Sequence, residues 1–439
     1  MDQTWLNITR DMVATERTQA EEEGKDTSSV QGEFDVLLAQ DPLDQNRAWA
    51  LLDQIQALPQ AEGYPYVEPS DLAGIRSLWV HGLEKPKPNQ AALLERLNGA
   101  WLGRACGCFL GKVCEGWRRP LMTGYLKDTG QWPLRAYISG KADPEVHKKH
   151  GTDPKWRSFR ENVNFMPEDD DTNYTVTGLE IVRQYGRDFT PDNVAWFWLC
   201  NIPVMHVCTA ERVAYKNFCN CIVPPESATH RNPFREWIGA QIRADFFGYC
   251  NPGDPYSAAE FGWRDAAISH VKNGIYGEMW SAAMNAAALA STEVRQVLDA
   301  GLAVIPPKSR LAESLRKVDS WHAAGKTYDE AIDPIHHEWD ENTGHGWCHT
   351  ISNAMIVAVA LLWGEKDFGK TICMAVQACF DTDCNGATAG SVLGGLIGHS
   401  GIPDAWASQL NDTLETGVQG YHRVKISDMA KLTLDLIGD

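Results

Sequence analysis

The sequence predicts an all-α fold in which an N-terminal helical extension precedes one large helical domain. Three observations predict it. Apolar residues recur at helical spacing through most of the chain, clean runs of period two are few, and glycine recurs at every fourth position in two separate stretches. The 439 residues, 44% of them hydrophobic, are enough to bury a large core.

The elements follow in order. Residues 1–30 are polar and include the run EEEGKD, which reads as a solvated tail. Within 33–85 one helix stands out: Asp44 suits the N-cap, Ala48, Leu51, Leu52, Ile55 and Leu58 fall at helical spacing, and Pro59 stops it. The segment KPKPNQ (85–90) reads as a linker-like break, dividing the chain into an extension, 1–90, and a main domain, 91–439. In the main domain, Val176, Leu179, Ile181, Val182 and Tyr185 share one face of a helix expected over 173–185. Further helices are expected over 278–290, 353–362 and 368–380, separated by loops such as NPGDPYS (251–257).

The glycine stripes are Gly99, Gly103, Gly107 and Gly111, then Gly386, Gly390, Gly394 and Gly398. Positions four apart share a helix face. Glycine loses about 1 kcal/mol against alanine inside a helix, so each stripe sacrifices roughly 4 kcal/mol of propensity. Close approach of two backbones is the natural compensation. Neither stretch is long or apolar enough for a membrane dimer motif, so two tightly packed central helices are expected. Glu115 continues the first stripe by four residues, and Asp381-Thr382-Asp383 comes just before the second.

Two acidic clusters carry the chemistry. Glu168-Asp169-Asp170-Asp171 precedes a helix, where one acid is ordinary because free N–H groups and the macrodipole favour it. Four consecutive acids repel one another and need a further reason. Asp381 and Asp383 lie between an apolar helix and a Gly/Ala-rich one, and no Lys or Arg other than Arg423 occurs between Lys370 and Lys425. Buried carboxylates are paired or bind metal. Oxygen-rich sites suit Mg²⁺ or Mn²⁺, and the two clusters together offer enough carboxylates for one or two ions.

Composition excludes other classes. The net charge of -18, without any long basic stretch, disfavours nucleic acid. The N-terminus has no basic region followed by an apolar run, and the longest apolar stretch, 354–363, is shorter than the about 20 residues that span a bilayer. The twelve cysteines form no C-x-x-C pair, only the C-x-C pairs Cys106/Cys108 and Cys219/Cys221, so reduced thiols in a cytoplasmic protein are expected. No G-x-S-x-G elbow for a serine hydrolase appears.

Three segments, in order, resemble the ADP-ribosylglycohydrolase family, which includes the dinitrogenase reductase-activating glycohydrolase and the ADP-ribosyl-acceptor hydrolases. They are GRACGCFLGKVCEG (103–116), DDDTNY (169–174) and DTDCNGATAGSVLGGLIG (381–398). The resemblance covers roughly residues 95–439. It implies an all-α orthogonal multi-helix bundle with divalent cations in a central cleft. It further implies Asp169, Asp170, Asp171, Asp381, Asp383 and Cys384 as the metal-binding positions and Glu115, Asp171 and Asp383 as catalytic. His270 and Gly274, in SHVKNGIYG, resemble the family's substrate cleft.

The departures from the pattern carry information. Cys384 stands where a ligating Thr is common, and Asp169 where Ser or Thr is usual. Trp237 and Ile238 replace Gly-Asn in a loop expected to contact ADP-ribose, so their bulk would crowd that ligand. The segment HHEWDENTGHGWCHT (336–350) holds four histidines. A second metal site there is weighed against a substrate-facing loop, with His349 as the expected cleft residue. The implied activity is metal-dependent hydrolysis of a ribosyl glycosidic bond, on an ADP-ribosylated substrate or on a smaller nucleoside- or nucleotide-like one. A non-catalytic binding protein on the same scaffold is the third reading. The sequence leaves the oligomeric state open.

Overall fold

The two glycine stripes form the axis around which the helices assemble. The computed structural model describes residues 6–82 and 87–438. Among them, 23 α-helices and one antiparallel two-stranded sheet, Thr413–Glu415 with Arg423–Lys425, make the fold all-α. The helix Gln90–Lys112 lies along the helix Thr382–Ile397. A Cβ on Gly99, Gly103 or Gly107 would meet the carbonyl oxygen of Gly394, Gly390 or Gly386 at 2.2, 2.1 or 1.8 Å. Viewed from the other helix, a Cβ on Gly390 would meet the Gly103 carbonyl at 2.2 Å. The stripes therefore pack on each other, and the contact is backbone on backbone. Gly398 departs from the expected helix. It lies just past its end with φ +76°, the left-handed C-terminal position that glycine tolerates.

Helices buried on every side surround this axis, mostly apolar all round but with buried polar groups such as Asn273, Asn285 and Asn353. They are Lys272–Ala288 and Thr350–Trp363, with Phe368–Gln377 beside them. Each expected helix exists, with shifted bounds. The helix expected over 173–185 begins at Asp170, so the acidic run belongs to its first turn. The first stripe's helix ends at Lys112, so Glu115 lies beyond it and does not continue the glycine face. Of the break at 85–90, Lys85 and Pro86 fall outside the described residues, and Asn89 caps the helix that follows.

The extension differs most from expectation. Asp44 does cap a helix, Gln45–Gln56, through the Arg47 N–H, and Ala48, Leu51, Leu52 and Ile55 are buried. Two more helices, Gln31–Leu38 and Leu72–Arg76, join it. Far from being a solvated tail, residues Arg10–Glu22 form a helix that buries Val13 and Ala20. The misreading has a physical cause: its buried face carries polar residues whose partners are distant in sequence. Gln19 donates to Glu236 at 3.0 Å, and the Arg235 guanidinium grips Glu16 at 2.6 Å and Glu23 at 2.7 Å. Met1–Trp5 lie outside the described residues.

Burial opposes ionisation of both carboxyls. It wins at Glu16, which is raised, whereas at Glu23 Arg235 and Lys272 outweigh it and bring the group down to about 2. A depressed folded value contributes stability above the unfolded value of 4.5, and that contribution is lost as pH falls toward 2. Its size is on the order of 3 kcal/mol. The stability gap between wild type and Glu23→Gln, read from urea midpoints, should narrow from about pH 5.5 to about pH 3. A gap independent of pH would remove the ion pair from the account.

Candidate metal centre and active site

Two helix N-termini bring the acidic clusters together. Asp169 caps the helix Asp170–Tyr185, its Oδ1 accepting from the Asp171 N–H at 3.0 Å, and Asp170 and Asp171 occupy the first turn. Asp381 and Asp383 open the helix Thr382–Ile397, where the tight glycine packing anchors them. The Thr382 hydroxyl donates to the Gly111 carbonyl at 2.9 Å. Asn353 orients this turn, accepting from the Asp381 N–H at 3.1 Å and from the Asn385 side chain at 2.8 Å.

Two groups of ligand-type atoms result, each within 4.8 Å: Cys108, Asp169 and Asp171, and Asp171, Asp383 and Cys384. They share Asp171. Burial raises Asp381 and Asp383 well above the usual carboxylate range, and repulsion from each other or from Glu115 adds to it. Asp170 and Asp171 are raised too, by burial and by neighbouring acids, with Arg104 opposing at Asp171. The Oδ1 of Asp383 is buried without a hydrogen-bond partner. An orphaned carboxylate oxygen among repelling acids is the environment that a divalent cation satisfies, so the donor set fits one. The Cys384 thiol is pushed well up by burial and by Asp171, Asp381 and Asp383, so it is neutral here.

Two basic residues also enter the cluster, both from the first glycine helix. Arg104 donates to the Asp171 carboxylate at 3.1 Å and to its carbonyl at 2.8 Å, and pairs with Asp245. Lys112 pairs with Asp169. Both lie far in sequence from the acids they meet, so the lack of a Lys or Arg near Asp381 and Asp383 in sequence does not leave the cluster without cations. The signal was present: Arg104, Cys108 and Lys112 stand four apart, a second stripe one position along from the glycines. Glu115 lies past the helix end. The residue is exposed, yet burial of its carboxyl and repulsion from Asp169 and Asp170 push it up to about 7 against the pull of Lys112.

Three further residues, His270, Gly274 and His349, are expected in the substrate cleft. His349 follows Cys348, whose sulfur lies 3.9 Å from Asp381 Oδ2. His270 is buried, shares a hydrogen bond with Ser269 at 2.9 Å, and is held well below its ordinary value by burial and by Arg243. A Cβ on Gly274 would strike the Arg235 carbonyl at 2.6 Å, which accounts for the glycine through packing. His349 joins His345 and Glu22 in a third group within 4.8 Å. There the Trp237 N–H, a donor only, points at His345 Nδ1 at 3.1 Å, and the Ile351 N–H points at His349 Nδ1 at 3.1 Å. Each neutral ring then carries its proton on Nε2. His345 Nε2 bonds Glu22 at 3.0 Å, a hydrogen-bonded link between the helix Arg10–Glu22 and the histidine loop. His349 Nε2 lies 3.8 Å from Glu22 and is buried without a hydrogen-bond partner. A cavity of about 760 Å³ lies beside that extension, lined by Met12, Trp49, Arg212, Lys216 and Phe234, and the acidic cluster is not part of its wall.

No curated protein sequence matches the chain. Among solved structures, one described as an ADP-ribosylglycohydrolase-related protein complex is similar at 19% identity and a TM-score of 0.47. The match covers 79% of this chain and 99% of that one. The family model of ADP-ribosylglycohydrolase matches residues 89–437, a span that holds the glycine axis and both acidic clusters. The chain belongs to the ADP-ribosylglycohydrolase family, a family of glycosidase-type hydrolases.

Proposed function

We propose that this protein is a metal-dependent glycohydrolase that cleaves a ribosyl glycosidic bond at the acidic cluster. The observation that supports this most is the orphaned, buried Asp383 oxygen in a cluster whose carboxyls are raised by burial and by neighbouring acids. Asp171, Asp381 and Asp383 would hold Mg²⁺ or Mn²⁺, with Asp170 beside them; a bound ion supplies a template for the ribose hydroxyls and polarises the sugar. Cleavage at the anomeric carbon passes through an oxocarbenium-like state, which needs a proton donor for the leaving group or a base for water. Glu115 has the access for this role, as an exposed residue past the helix end whose carboxyl feels both Asp169 and Asp170.

Trp237 favours a substrate smaller than an ADP-ribosylated protein. Its ring is buried against Phe234 and bonded to His345, so the space a Gly-Asn pair would leave is filled. A nucleoside- or nucleotide-like ribosyl compound fits that constraint. Product analysis with ADP-ribosylated protein, ADP-ribose derivatives and nucleosides, with and without Mg²⁺ or Mn²⁺, tests the reading. Ion-dependent release of free base or ribose supports the smaller substrate, and release of ADP-ribose supports the larger. Inertness toward the whole panel with both ions would favour a non-catalytic binding protein.

A further inference from the structure

The two ligand groups that share Asp171 are not equivalent. In the group of Cys108, Asp169 and Asp171, both Asp169 oxygens are engaged: Oδ1 accepts from the Asp171 N–H, and Oδ2 holds the Lys112 ammonium. The Arg104 guanidinium lies on the Asp171 carboxylate, and Cys108 is buried with its sulfur 3.9 Å from Asp171 Oδ2. That position already contains an ammonium paired with Asp169, whereas the guanidinium lies on Asp171, the ligand that both groups share. A divalent ion placed there would meet the ammonium's repulsion in a poorly screened interior. In the group of Asp171, Asp383 and Cys384 the balance differs: Asp383 Oδ1 is buried and unpartnered, and the negative charges of Glu115 and Asp169 act on Asp383 more strongly than the opposing Lys112.

We infer that the Lys112 ammonium takes the place of one cation, so that the protein binds a single divalent ion, on the Asp171–Asp383 side, and that Asp169 is a partner of Lys112 and not an ion ligand. The inference rests on the metal-dependent reading above and deepens it. Lys112 lies at the end of the first glycine helix, and that helix is locked to the second by backbone contact. The built-in charge is thus carried to the site by the same packing that brings Asp383 there.

Equilibrium dialysis with Mn²⁺, read alongside the electron paramagnetic resonance of the bound ion, tests it on the full chain. Wild type should bind one Mn²⁺ per chain, and Lys112→Met should bind two. Asp169→Asn, which keeps a competent N-cap, should still bind one Mn²⁺ with Kd changed by less than about threefold, against about a hundredfold or more for loss of a true ligand. Two Mn²⁺ bound by wild type would overturn the inference and leave the metal-dependent reading standing. None bound would overturn both. A single Mn²⁺ in folded Lys112→Met, or loss of Mn²⁺ in Asp169→Asn, would overturn the inference by itself; the Asp169→Asn result holds even if Lys112→Met fails to fold.

Discussion

Gly390→Ala is expected to destabilise the protein by more than about 4 kcal/mol, beyond what ordinary overpacking produces. Alanine is the better helix former by about 1 kcal/mol, so propensity alone predicts stabilisation. Packing predicts the reverse, because the new methyl would lie 2.2 Å from the Gly103 carbonyl oxygen, a backbone atom that no rotamer change can move aside. Relief requires the two central helices to separate. Gly386 and Gly394 would then lose their matching contacts with Gly107 and Gly99, and the turn bearing Asp381 and Asp383 would shift with them. Thermal denaturation of the variant checks this. A melting temperature equal to or above that of wild type would mean that the stripes are not the structural axis.

Asp383→Asn carries the other large effect, and its two consequences have opposite signs. Without added metal, the variant should be as stable as wild type or more so, because it replaces a carboxyl whose ionisation burial and neighbouring acids oppose with a neutral group of the same shape. With Mn²⁺ present the order should invert. An ion at a hundred times its Kd stabilises wild type by about 2.7 kcal/mol, and the variant should gain little of this. Turnover should fall by about a thousandfold or more, the loss expected when a metal worth several kcal/mol to the transition state is no longer held. Melting curves at matched Mn²⁺ concentrations separate the two effects. Equal Mn²⁺ stabilisation of both proteins would remove Asp383 from the ion site.

What the sequence made legible follows from the range of the interactions involved. The glycine axis could be read because a stripe of four-residue spacing is a local pattern whose only compensation is close packing. The pairing of Asp169–Asp171 with Asp381–Asp383 followed from motif order. The Lys112–Asp169 and Arg104–Asp171 pairs join residues 57 and 67 positions apart, so the local Arg104/Cys108/Lys112 stripe shows a shared face but not which acids it meets. The helix Arg10–Glu22 was misread for the same reason. Its buried Glu16 and Gln19 look solvated until Arg235 and Glu236, more than two hundred residues away, come to meet them. Glu115 shows the converse error: its spacing continued the stripe, but the helix had ended at Lys112.

The central claim is that the acidic cluster uses a divalent cation to break a ribosyl glycosidic bond. The most direct test is hydrolysis of ribosyl substrates by protein stripped with EDTA and then titrated with Mn²⁺ or Mg²⁺. The account predicts no glycosidic cleavage by the stripped protein and recovery of cleavage that saturates as the ion fills its site. Cleavage undiminished after the metal has been removed would contradict it.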